Sequence, residues 1–167
     1  GIGKICLETL IELAKKMMEQ VRNEFAAGLQ YLAIATYFEQ DAMDNTAKFF
    51  YAQAEEEKEH AMKLLHYVVE TGGVADLLPI PAPTAKITSA EAAFQAALNW
   101  EVEVTGQINA LVDLAKKQND YLAQNFLNWF VDEQLEEVTT MEKYLAMVKK
   151  MGDKNIILLE HLIKGDD

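Results

Sequence analysis

All three prolines of this 167-residue chain, Pro79, Pro81 and Pro83, stand at alternate positions of one short segment, and that placement constrains the fold more than any other feature. Each proline fixes φ and removes a backbone donor, so the stretch from Val74 to Thr88 cannot be helical and reads as an extended strap. On both sides of it helix breakers are scarce. From Glu8 to about Gln40 there is one glycine and no proline, which predicts a long first helix. Asp44-Asn45-Thr46 offers capping oxygens for a second, which runs to Thr71 and stops at Gly72-Gly73. Thr88 and Glu91 have capping-box spacing at the start of a third, lasting to about Gln118. A fourth helix follows Asn119-Asp120 and is closed by Gly152 after Met151. A short fifth segment, Lys154 to Lys164, ends the pattern.

The strap's length decides the topology. A second helix of about 27 residues spans about 40 Å at ~1.5 Å per residue. A strap of about 15 residues reaches about 50 Å when extended, enough to travel the whole length of the bundle. Helices two and three then run parallel, while pairs one–two and three–four form tight antiparallel hairpins. The expected fold is all-α: a four-helix bundle with one long crossover between helices two and three and a short fifth C-terminal helix, forming one domain over residues 1–167.

Half of the residues are hydrophobic, so a core can form, and 15 basic against 27 acidic residues give a net charge of -12. Nucleic acid is not an expected partner, because phosphate binding needs a basic face; cations are. Cys6 is the only cysteine, which leaves no intrachain disulfide, thiolate zinc site or iron–sulfur cluster. No apolar run approaches the ~18 residues of a membrane span, and acidic residues interrupt the first ones before a leader's apolar stretch could form. No membrane partner and a cytoplasmic setting are expected.

Charged residues stand where the core should be. At alternating spacings of three and four, helix one presents Leu10, Ala14, Met17, Val21, Glu24, Gly28, Tyr31, Ala35 and Phe38. Helix two gives Phe50, Gln53, Glu57, His60, Leu64 and Tyr67. Helix three gives Phe94, Leu98, Glu101, Thr105, Ile108 and Val112. Helix four gives Leu127, Phe130, Gln134, Glu137, Met141, Tyr144 and Val148. Measured from the hairpin turns, Glu24 and Glu101 lie about 27 Å along their helices, and Glu57, His60, Gln134 and Glu137 about 22 to 27 Å along theirs. With both turns at corresponding ends of the bundle, all six converge on one layer. Four carboxylates gathered in an apolar interior repel and are poorly solvated, a cost of several kcal/mol unless protons or cations offset it. Oxygen donors with one imidazole suit iron or manganese, and four carboxylates neutralise two divalent ions. A di-iron oxygenase or peroxidase with an organic substrate, and a metal-free helical scaffold or interaction protein with protonated or paired carboxyls, are the other readings that these residues allow.

Four fragments carry a specific resemblance: Asn23-Glu24-Phe25 with Tyr31; Glu55 to Met62; Glu101 ahead of Thr105-Gly106-Gln107-Ile108-Asn109; and Trp129 to Glu137. In this order they resemble the non-haem ferritins of bacteria, from about Leu10 to Ile163. That resemblance implies iron storage and detoxification by a ferroxidase that oxidises Fe(II) with dioxygen or hydrogen peroxide. It implies a di-iron site, with site A at Glu24, Glu57 and His60, and site B at Glu57, Glu101 and Glu137 beside Gln134. A third iron site would use Glu56, Glu133 and Glu136 with Glu137. Tyr31 matches the tyrosine beside the di-iron centre, as an electron donor or a packed hydrogen-bond donor, and Trp129 is expected in core packing. The haem-binding methionine of bacterioferritins corresponds to Lys58, so no haem is expected. Positions acidic in the three-fold channel of animal ferritins are Gln124 and Leu127, so that lining is not carried over. The resemblance also implies a homo-oligomeric shell of 24 subunits, with the fifth segment at a four-fold axis.

Overall fold

A computed structural model of the chain describes residues 2–163, with side chains from Leu10 onward. The side chains of Cys6 and Glu8, and the predicted helix end at Lys164, lie outside these residues. Four long helices follow one another: α1 (Ile2–Gln40), α2 (Asp44–Glu70), α3 (Ala90–Lys117) and α4 (Tyr121–Met151). A 3-10 segment, Asp153–Leu158, leads into the four-residue α5 (Leu159–Leu162). α1 starts at Ile2, well before Glu8. The strap has no regular secondary structure from 73 to 88, as its prolines require.

Short turns make α1–α2 and α3–α4 antiparallel hairpins. Across the bundle, Gln20 meets Gln107 and Tyr31 meets Glu101, so α1 and α3 are antiparallel. Phe49 packs on Tyr144 at 5.2 Å and Tyr67 on Phe126 at 4.0 Å, so α2 and α4 are antiparallel too. It follows that α2 and α3 run parallel, as the strap length predicts.

Two caps differ from expectation. Ser89, not Thr88, caps α3, accepting from the Ala92 N–H at 3.0 Å, so the Thr88–Glu91 pairing does not form. At α2 the N-cap position is Met43, which offers no oxygen. Glu160 of α5 takes its place: its carboxylate accepts from the backbone N–H groups of Asn45 and Thr46 at 2.8 Å each, and from the Thr46 hydroxyl. A charged acceptor on the exposed donors of a helix start is stabilising by about 1–2 kcal/mol. E160A is therefore expected to destabilise the α2 start by that amount and to speed hydrogen exchange at the Asn45 and Thr46 amides. Unchanged exchange there would show that the contact is idle.

The core divides into two apolar clusters. One holds Ile34, Phe38, Phe50, Phe94, Met141 and Leu159; the other holds Met17, Leu64, Ile108, Leu127 and Phe130. The predicted stripes err by one position in places. Leu10 is 49% exposed, and Leu13 is buried in place of the predicted Ala14. In α3 the buried positions are Ala97, Val104 and Leu111, with Leu98, Thr105 and Val112 on the flank. The fifth segment docks on its own bundle through Leu159 and Ile163, while Ile157, Leu158 and Leu162 face outward. Among the described residues no helix is long and apolar enough to cross a membrane.

Candidate metal centre

Between the two apolar clusters lies a polar layer. The 3.6-residue period that buries Val21 and Tyr31 of α1 also buries Glu24, and the same logic places Glu57 and His60 on α2, Glu101 on α3, and Gln134 and Glu137 on α4. All six are nearly sealed from solvent, the most exposed being Glu137 at 5%. Glu57 stands two turns from Phe50 and His60 one turn from Leu64, so each ionisable group is held by apolar neighbours on its own helix.

Among the described residues three sets of ligand atoms come within 4.8 Å of one another: Glu24, Glu57 and His60; Glu57, Glu101 and Glu137; and His60, Glu133 and Glu137. His60 Nδ1 lies 3.5 Å from Glu57 Oε2 and 4.0 Å from Glu24 Oε2. These three atoms are buried and have no hydrogen-bond partner. An orphaned polar atom in an apolar interior is costly, and three aimed at one another are more so. A divalent cation between them satisfies all three at once, so the donors fit one.

The other side of the layer is hydrogen-bonded. The Tyr31 hydroxyl donates to Glu101 Oε1, and Gln134 Nε2 donates to Glu101 Oε2 at 3.1 Å and to Thr105 Oγ1 at 3.2 Å. Both oxygens of Glu101 are thus held in place. Glu133 reaches His60 Nε2 at 3.6 Å. Glu56 lies against Glu137, whereas Glu136 is exposed and joins none of the three sets.

Burial pushes the carboxyls of Glu24 and Glu57 well above the usual range, and the charge of Glu57 adds to the shift at Glu24. Glu101 is raised by burial, against its bonds from Tyr31 and Gln134. Glu137 is pushed up to about 10, by burial first and then by the charge of Glu101. Burial also raises the Tyr31 hydroxyl well above its ordinary value, so it stays a donor. Among the described residues no Lys or Arg pairs with any of the four carboxylates.

Trp129 departs from the expectation of core packing. It is 38% exposed and stands edge-on to His60 at 5.4 Å, with Lys63 Nζ 3.4 Å above its ring. It shields the outer side of the imidazole. Gln20 was not expected in the layer; the one sign of it in the sequence is its place four residues before Glu24, where helical side chains meet.

The family model of the Ferritin-like domain matches residues 14–151, from within α1 to the end of α4. The chain belongs to the ferritin family. This ferritin is 36% identical over 142 residues to a bacterial non-heme ferritin of Staphylococcus saprophyticus, covering 85% of each chain. It is 34% identical to ferritin BfrB of Mycobacterium tuberculosis, over 88% of this chain and 81% of that one. An open-pore ferritin of the archaeon Archaeoglobus fulgidus superposes with a TM-score of 0.89 at 28% identity, over 93% of this chain and 96% of the other. Membership supports iron binding and iron storage as the broad role of this ferritin.

Proposed function

We propose that this ferritin is a ferroxidase that binds two Fe(II) ions in the polar layer. The first ion is held by Glu24, Glu57 and His60, the second by Glu57, Glu101 and Glu137, with Glu57 shared. Gln134 and Tyr31 fix Glu101 through the hydrogen bonds described above. Each Fe(II) gives up one electron. One dioxygen takes both with two protons and leaves as hydrogen peroxide; where hydrogen peroxide is the oxidant, it takes two electrons and two protons and leaves as two waters. The anionic cage favours the more highly charged Fe(III) product, which lowers the barrier to its formation. Glu56 and Glu133 form a third, more open iron site with Glu137 and draw product from the pair, and the exposed Glu136 adds acidic charge beside it. The hydrolysed iron is deposited inside a homo-oligomeric cytoplasmic shell of 24 copies.

The observation that carries this reading is the trio of buried, partnerless atoms: Glu24 Oε2, Glu57 Oε2 and His60 Nδ1. Iron-free protein, mixed with increasing Fe(II) in air, is expected to show a fast oxidation phase that saturates at two Fe(II) per chain. In gel filtration it should elute at the mass of a many-subunit shell. Oxidation no faster than in protein-free buffer would overturn the catalytic reading, and a monomer would overturn the shell.

A further inference from the structure

The two oxygens of Glu24 have different surroundings. Oε1 accepts from Gln20 Nε2 at 3.2 Å. Oε2 has no hydrogen-bond partner and faces His60 Nδ1. The carboxylate itself is fully buried and Gln20 is only 2% exposed, so no water shell evens out this difference.

Gln20 is itself held on every side. Its Nε2 donates a second proton to Gln107 Oε1 of α3 at 3.1 Å, and its Oε1 accepts from Asn23 Nδ2 at 3.2 Å. Asn23 Oδ1 in turn accepts from Arg22 Nε and Nη2 at 3.3 Å each. Flipping the Gln20 amide would set its oxygen against the oxygens of Glu24 and Gln107, and its NH2 against that of Asn23. Three favourable contacts would become three repulsive ones, so the neighbours fix which end faces Glu24.

We infer that Gln20 is a positioning residue: it ties down Glu24 Oε1 so that Oε2 alone is presented to a divalent cation shared with Glu57 and His60. Gln107, across the α1–α3 contact, and Asn23, on α1 itself, hold Gln20 to that task. The inference rests on the two-metal reading above. Groups that orient metal ligands typically contribute about 10–100-fold to metal affinity. A residue with a packing role only would change stability and leave the relative affinities of the two positions alone.

The test uses the assembled, iron-free protein and Q20M, which keeps the chain length and removes the amide. Binding of Co(II) or Zn(II) is followed by calorimetry, and the Co(II) absorption spectrum reports coordination. The unaltered protein should bind two ions per chain. Q20M should bind one of them about 10-fold more weakly, with a changed Co(II) spectrum and the other position unaltered. In an E24A background Q20M should have no further effect, because Gln20 acts through Glu24. Should Q20M fail to assemble, Q107M, at a half-buried position, should weaken the same ion to a smaller degree. Equal affinities and spectra for variant and parent overturn this inference alone, as does an undiminished Q20M effect in the E24A background. If the unaltered protein binds no cation in the layer, the two-metal reading falls and this inference with it.

Discussion

Replacing Glu57 with alanine is expected to slow Fe(II) oxidation by about a hundredfold or more, equivalent to about 2.7 kcal/mol of lost transition-state stabilisation, while the helical fold persists. Glu57 belongs to two of the three sets of ligand atoms, with Glu24 and His60 on one side and Glu101 and Glu137 on the other. Its loss strips a ligand from both ion positions, whereas loss of Glu24 strips one. The iron-free variant should be no less stable than its parent. Glu57 Oε2 has no partner, and its carboxyl is disfavoured by burial and by the charges of Glu101 and Glu137, so deletion relieves strain even as it opens a cavity. Stopped-flow oxidation and thermal melts of chelated protein measure the two effects. H60A should follow the same pattern with a smaller loss, because it leaves the Glu57, Glu101 and Glu137 set complete. A variant E57A that oxidises Fe(II) within about threefold of the parent would show that the layer is not where the chemistry happens.

The helical period made the layer legible. Glu24, Glu57, Glu101 and Glu137 are separated by dozens of residues, yet the spacing of apolar neighbours puts each on an inward stripe at one height, and the structure gathers them there. Where the structure departs from the sequence pattern, the causes are physical. An apolar stripe is wide enough that Ala97 and Leu98, or Val104 and Thr105, satisfy the same spacing, and the packed bundle buries the first of each pair. Ser89 outcompeted Thr88 for the α3 cap through a one-residue shift that local chemistry alone does not resolve. The cap of α2 was illegible in principle. Its acceptor, Glu160, lies more than 100 residues away, and nothing near Met43 announces it. Gln20 carries no sign beyond its spacing from Glu24, and Trp129 reads as core packing, for a related reason. Their roles consist of contacts to Gln107 on α3 and to His60 on α2, which exist only once the helices pack.

Iron-free protein is expected to lose stability as pH rises from about 5 to about 9, by several kcal/mol in sum, seen as a fall in Tm on the order of 10 °C. A free glutamate titrates near 4.5, while Glu137 in the fold is pushed up to about 10, and Glu24, Glu57 and Glu101 are raised as well. Between those values the folded chain holds protons that the unfolded chain has released. Stabilisation from a raised carboxyl is fully present below its unfolded value and is lost as pH climbs through its folded value, so the slope is negative. Divalent ions reverse the balance. They take the place of the protons, their binding releases protons, and the stability they add grows with pH. Melts of chelated and Zn(II)-loaded protein should therefore lie close together at low pH and diverge toward high pH. E137Q removes one strongly shifted group, so its iron-free form should show a shallower decline than the parent. That contrast separates the buried layer from the general repulsion of an acidic surface, which E137Q leaves almost untouched. Parallel pH profiles for E137Q and the parent would place the titration on the surface and remove the electrostatic case for a cation-demanding interior.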